Sequence, residues 1–173
     1  MAAMCVPALS AYAADTVELA EVALAATLDE SRGYCLDIIG SQARATPERG
    51  LQAHTCYGYQ GKIAVDQSFD ANLMRTGKWR LPAFNVCMRA TAQAGARLML
   101  ETCNDDIAQR FTLKPDGSIA ADAEPRLCLT VGGISGTPGG GGRPVHLLRP
   151  LTLERCEAAL VQRQQWTLRQ DRR

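Results

Sequence analysis

The chain has 173 residues, with 19 Lys and Arg against 18 Asp and Glu, a net charge of +1, and only 5% aromatic residues. A single domain of this length can bury a core unaided. The two signs of charge are intermixed along the sequence, which argues against electrostatic capture of nucleic acid or of an anionic lipid surface.

Met4 to Ala13 is apolar, and Ala11-Tyr12-Ala13 ahead of Ala14-Asp15 fits a small-residue cleavage site. No Lys or Arg precedes the run. Residues 1–13 are therefore expected to be a signal peptide whose start lies upstream, with a linker over 14–21. The run is too short to span a bilayer, and no other segment is a membrane candidate. The Glu and Ala content of residues 16–26 suits a short helix, yet the repeat described below places a strand near Val22 to Leu28. Further strands are expected at Leu98 to Leu100, Leu127 to Val131, Val145 to Leu148, Leu151 to Leu153 and Trp166 to Leu168. Turns are expected at Thr46-Pro47, Arg75-Thr76-Gly77 and Asp116-Gly117. Gly132 to Pro144 contains the run Gly139 to Gly142. It lacks the Lys-Ser/Thr and the following helix of a phosphate-binding loop, so a flexible insertion is expected. The basic end, residues 170–173, reads as a solvated tail.

Three segments share one pattern: a Cys, a stretch closing on a second Cys, then Gln-x-aromatic. The first holds Tyr34-Cys35-Leu36-Asp37, Leu51 to Cys56, and Gln67-Ser68-Phe69. The second holds Val86-Cys87-Met88, Leu98 to Cys103, and Gln109-Arg110-Phe111. The third holds Leu127-Cys128-Leu129, Leu151 to Cys156, and Gln164-Gln165-Trp166. Copies of one supersecondary unit stack to bury a shared core, so three imply pseudo-threefold symmetry.

Of the seven cysteines, Cys5 falls in the expected signal peptide and two fall in each repeat. Many pairings are open to six cysteines, but the repeat reduces them to Cys35–Cys56, Cys87–Cys103 and Cys128–Cys156. Each bridge closes a loop of moderate length, worth roughly 3 kcal/mol in the chain-entropy model. Zinc is disfavoured, because no C-x-x-C occurs and the chain has two histidines. No cofactor is expected. Bridges require an oxidising compartment, so the expected location is secreted or periplasmic.

Cys-Leu-Asp at 35–37, the Leu-x-x-x-x-Cys strand of each repeat, and Gln-x-Trp at 164–166 with Gln-x-Phe twice more resemble the ricin B-chain-like lectins. The resemblance spans residues 22–169. It implies an all-β, β-trefoil domain with three repeats and one disulfide in each. The Leu ahead of each second Cys and the aromatic of Gln-x-aromatic are expected in the shared core, and the Gln as a hydrogen-bonder that fixes a turn.

The resemblance also implies a shallow sugar site. An acid after the first Cys accepts from sugar hydroxyls, and a ring two residues before the second Cys stacks on the C–H face of the sugar. Polar residues complete the site, a combination that suits a pyranose. The first repeat matches this set. Asp37 holds the acidic position, Gln52 a polar position, His54 the ring position and Asp66 the last polar position. Tyr57 and Tyr59 lie in the long Cys56–Gln67 segment, from which either could cover the site. The second repeat has Arg89, Glu101 and Ala108 at the equivalent places, and the third has Thr130, Glu154 and Arg163. Neither of these is expected to bind sugar.

The expected function is a secreted, non-catalytic carbohydrate-binding protein with one site, the ligand of galactose type. The alternative is a protein-binding trefoil, such as an inhibitor or a toxin-complex subunit, with degenerate sugar sites. An enzyme is disfavoured. An open, solvated site does not raise an acid's pKa, and Cys56 beside His54 is expected to be bridged. Loss of binding in Asp37→Ala would separate the sugar-binding reading from the protein-binding one.

Overall fold

A computed structural model describes residues 17–170. The segment expected as a signal peptide, Cys5, and the last three residues lie outside the described residues.

Fourteen short strands make up the described chain. The first repeat contributes β1 (Leu19–Leu24), β2 (Tyr34–Ile38), β3 (Leu51–Thr55) and β4 (Ser68–Asp70). The second contributes β5 (Arg80–Leu81), β6 (Val86–Arg89), β7 (Met99–Thr102) and β8 (Phe111–Leu113). The third contributes β9 (Ile119–Ala121), β10 (Glu124–Val131), β11 (Thr137–Pro138), β12 (Leu147–Arg149), β13 (Leu151–Arg155) and β14 (Trp166–Gln170). Two one-turn helices, α1 (Ala71–Met74) and α2 (Val161–Gln164), lie between strands. The sheet orders are β11-β12-β3-β2-β1-β14 with β4 on β1, then β13-β10-β9-β8, then β5-β6-β7.

The three repeats are equivalent atom by atom at their glutamines. Gln67, Gln109 and Gln164 are buried, and each donates Nε2 to the carbonyl just before the second Cys. The acceptors are Thr55, Thr102 and Arg155, at 3.1, 3.0 and 2.8 Å. Each glutamine also accepts, on Oε1, the N–H of the residue just after that Cys: Tyr57, Asn104 and Glu157. One side chain thus satisfies both backbone groups where the strand turns away, which a buried turn requires. The glutamines are structural, as the sequence implied.

Phe69, Phe111 and Trp166 are buried beside them, as are Leu51, Leu98 and Leu151. All six belong to one core cluster with Leu36, Met88 and Leu129. Trp79, which the repeat does not mark, is 1% exposed and donates its indole N–H to the Phe111 carbonyl. The arrangement is a β-trefoil. The bridges are Cys35–Cys56, Cys87–Cys103 and Cys128–Cys156, as expected. Each ties the middle of one strand to the residue that follows its neighbour.

Two expectations are corrected. Residues 19–21, read as linker, are strand: Leu19, Ala20 and Glu21 pair with Asp70, Phe69 and Ser68 of β4, and Ala20 and Glu21 also pair with β14. Partners distant in sequence override the helical composition here. β14 in turn extends to Gln170, the first residue of the expected tail. Secondly, Gly132 to Pro144 is not a loose insertion. It contains β11, hydrogen-bonded to β12, and it is anchored along its length as described below.

Candidate functional site

The site forms where the third repeat docks on the first. β12 adds to the free edge of β3, placing Leu148 opposite His54 and Arg149 opposite Ala53. On its other edge β3 pairs with β2 in a register that sets Asp37 opposite Gln52 and Cys35 opposite His54. Alternation along a strand puts Gln52 and His54 on one face.

Salt links hold this junction. Arg149, almost fully buried, donates to Asp29 Oδ1 at 2.8 Å and to the carbonyls of Gly132, Gly133 and Ile134. Its guanidinium also lies 5.4 Å from the Tyr34 ring centroid, a cation–π contact. Gly136 N–H donates to Asp29 Oδ2 at 2.7 Å. Arg32 is clasped by Glu30 and reaches the carbonyls of Pro144 and Val145. Thr55 donates to Glu30 and accepts from Leu147 N–H. Desolvation opposes ionisation of Asp29, but the Gly136, Arg149 and Tyr34 donors outweigh it and hold the carboxyl below its usual range. The Arg32 guanidinium, with help from Thr55, holds Glu30 down at about 2. Burial, reinforced by Asp29, pushes the Tyr34 hydroxyl up to about 12.

Three rings meet at the junction. Tyr57, the first residue of the 3-10 turn Tyr57–Gln60, lies over His54 with centroids 5.0 Å apart and planes at 28°. His146 packs edge-on to both, at 5.2 Å from His54 and 5.1 Å from Tyr57. His54 Nδ1 lies 2.8 Å from the Thr55 carbonyl. A carbonyl can only accept, so Nδ1 carries the proton and Nε2 is left as an acceptor. Desolvation lowers the pKa of both histidines, which keeps the rings neutral. His146 sits against Gly142, where a Cβ would come within 2.6 Å of its Nε2 and where φ is +87°. Only glycine suits that position. Around these rings is a cavity of about 600 Å³, lined also by Gln52 and by Gly139 to Gly142.

The expected site residues divide. Gln52, His54 and Tyr57 line the cavity. Tyr57 is half-buried whereas His54 is 8% exposed, so Tyr57 is the more exposed ring of the stacked pair. Asp37, expected to meet sugar directly, is 1% exposed. Its oxygens accept from Gln52 Nε2 and Gln67 Nε2, each at 3.0 Å. Burial pushes its carboxyl up to about 8 against those two donors. Thr130 takes the same part in the third repeat, accepting from Gln164 Nε2. Asp37 is therefore a buried partner of both Gln52 and the turn-fixing Gln67. Asp66 is also buried. It accepts from Gln42 N–H at 2.8 Å, fixing the loop after β2, and burial raises its pKa. Tyr59 occupies the same turn as Tyr57.

In the second repeat Arg89 pairs with Glu101 at 3.3 Å, and in the third Thr152 donates to Glu154. Those polar groups are engaged with each other. Among the described residues, Glu21, Cys35 and Cys56 gather closely enough to hold a metal, but the two sulfurs are bonded to each other and offer no thiolate. No helix among the described residues is long and apolar enough to cross a membrane. The sequence reading missed His146 and the glycine wall. Both lie in the one segment without a counterpart in the other repeats, so periodicity held no signal for them.

Residues 25–145 match the family model described as the ricin-type beta-trefoil lectin domain. No curated protein matches the chain. Similar solved structures include the agglutinin from Abrus precatorius, at 16% identity and TM-score 0.60, covering 92% of this chain and 51% of that one. The designed 3-fold symmetric protein ThreeFoil is 14% identical with TM-score 0.59, covering 87% and 96%. The earthworm R-type lectin C-half, solved in complex with GalNAc, is 14% identical with TM-score 0.57, covering 88% and 98%. This chain spans about half the length of the agglutinin. At these identities the likeness shows a common fold.

Proposed function

The chain belongs to the ricin-type beta-trefoil lectin family, and from that premise we propose that it is a secreted carbohydrate-binding protein without catalysis, its one sugar site being the cavity at the β3–β12 junction. The observation that carries this reading is the set of Tyr57, His54 and His146 rings beside Gln52 in a cavity of about 600 Å³. A pyranose needs a flat apolar surface for its C–H face and a few fixed polar groups for its hydroxyls. Tyr57 supplies the surface, with His54 and His146 holding its ring in place. Gln52 supplies the carboxamide, oriented by Asp37.

The three bridges support an oxidising compartment. A galactose-type glycan is the first probe, because the earthworm neighbour was solved with GalNAc. The test is a glycan array with the oxidised protein beside Tyr57→Ala. Binding of a defined sugar, weakened about tenfold or more by the substitution while the melting temperature holds, is the expected result. Binding that ignores Tyr57 would move the site elsewhere. No binding at high glycan density would favour a protein-binding trefoil.

A further inference from the structure

The cavity rim carries Arg44 and Arg49, both exposed, and neither forms an ion pair among the described residues. Arg44 closes the 3-10 turn Gln42–Arg44, and Arg49 closes the turn Pro47–Arg49. Arg97 adds a third guanidinium nearby, donating to the Arg49 carbonyl at 3.3 Å. No Asp or Glu lines this cavity among the described residues. Glu48 is exposed in the turn that carries Arg49 but does not line the cavity, and the other nearby acids are withdrawn. Asp37 is closed off by Gln52 and Gln67, Asp66 is held under Gln42, and Glu30 is clasped by Arg32. A site for neutral sugars has use for a carboxylate acceptor, since every hydroxyl is a donor. This cavity instead offers two guanidiniums and no carboxylate.

We propose that the ligand of this site is an acidic saccharide, a glycan whose carboxylate or sulfate ester is held by Arg44 and Arg49 while Tyr57 and Gln52 take the adjoining ring. Guanidinium is planar, always charged, and matches the spacing of two oxygens on a carboxylate or sulfate. The inference rests on the proposed sugar site. The pairing is exposed, so its strength falls as salt screens it.

The test compares three probes by calorimetry at low and physiological salt: a galactose-terminated disaccharide, its sulfate ester, and its sialylated counterpart. The wild type is expected to bind at least one acidic form about tenfold tighter than the neutral parent. Arg44→Ala/Arg49→Ala should abolish that preference, leave binding of the neutral parent in place, and keep the melting temperature. Arg155→Ala/Arg163→Ala, on the third repeat, should leave the preference intact and so exclude a general charge effect. Which acidic probe gains identifies the anion. Equal binding of neutral and acidic probes overturns this inference alone, as does a preference that survives in the Arg44/Arg49 variant. A folded protein that binds none of the three overturns the sugar-site reading as well.

Discussion

Gln67 donates one amide to two acceptors, the Asp37 carboxylate oxygen at 3.0 Å and the Thr55 carbonyl at 3.1 Å. Asp37 therefore partners the glutamine that fixes the turn carrying Tyr57. Its carboxyl, at about 8 when folded against a usual 3.8, makes folding pH-dependent. The folded state holds more protons than the unfolded one across that interval, so this contribution to stability falls as pH rises from 3.8 to about 8. The two histidines, with lowered pKa, act with the opposite sign below 6.5. The clean measurement is thus the difference in melting temperature between wild type and Asp37→Asn across pH. The wild type should lose stability relative to the variant as pH rises, by an amount on the order of a few kcal/mol in total. A constant difference would show that Asp37 titrates normally.

The third-repeat hairpin is predicted to detach when its anchor is cut. Arg149→Ala removes the donors to Asp29 and to three loop carbonyls, at a cost of about 2 kcal/mol. Limited proteolysis should then cut within residues 132–144 faster than in the wild type, and sugar binding should weaken together with it. Acid should act in the same direction. Glu30 falls from 4.5 to about 2 on folding, so its contribution is present above 4.5 and lost as pH drops toward about 2. Unchanged cleavage in Arg149→Ala would mean that strand pairing alone holds the hairpin.

The glycine run is predicted to be unequal in its demands. A Cβ on Gly142 would collide with the His146 ring at a φ of +87°, whereas Gly140 and Gly141 have nothing within 4 Å. Gly142→Ala should displace His146 and weaken sugar binding about tenfold, a figure set by the loss of one aromatic contact. Gly140→Ala should bind as the wild type does. Equal effects from the two would remove His146 from the site.

Reduction should lower the melting temperature by about 10 °C or more, because each bridge restrains the unfolded chain by roughly 3 kcal/mol. The loops closed span 21, 16 and 28 residues, so no single bridge should dominate. A melting temperature indifferent to reductant would contradict the pairing.

The elements legible in the sequence were those that occur three times. Gln67, Gln109 and Gln164 announce their role because the same turn is solved three times with the same residue. The cysteine pairs and the buried leucines share that legibility. The burial of Asp37 is not legible because a carboxylate after a Cys reads alike whether it faces solvent or a buried amide, and only the register with Gln52 decides. His146 was missed because its contact with His54 joins residues far apart in sequence, in a segment present once. Trp79 was missed for the related reason that its core position comes from tertiary packing and not from a repeated motif.

β12 is paired to β3, so one wall of the cavity comes from a hairpin that only the third repeat possesses. A chain assembled from three copies of the first repeat would keep every Gln-fixed turn and every bridge, yet lack the wall that Gly139 to Gly142 and His146 build. One built from the third repeat alone would carry three hairpins with no tyrosine to cover. The cavity of this molecule is built by two unlike copies meeting, and its lining exists only where the threefold symmetry is broken.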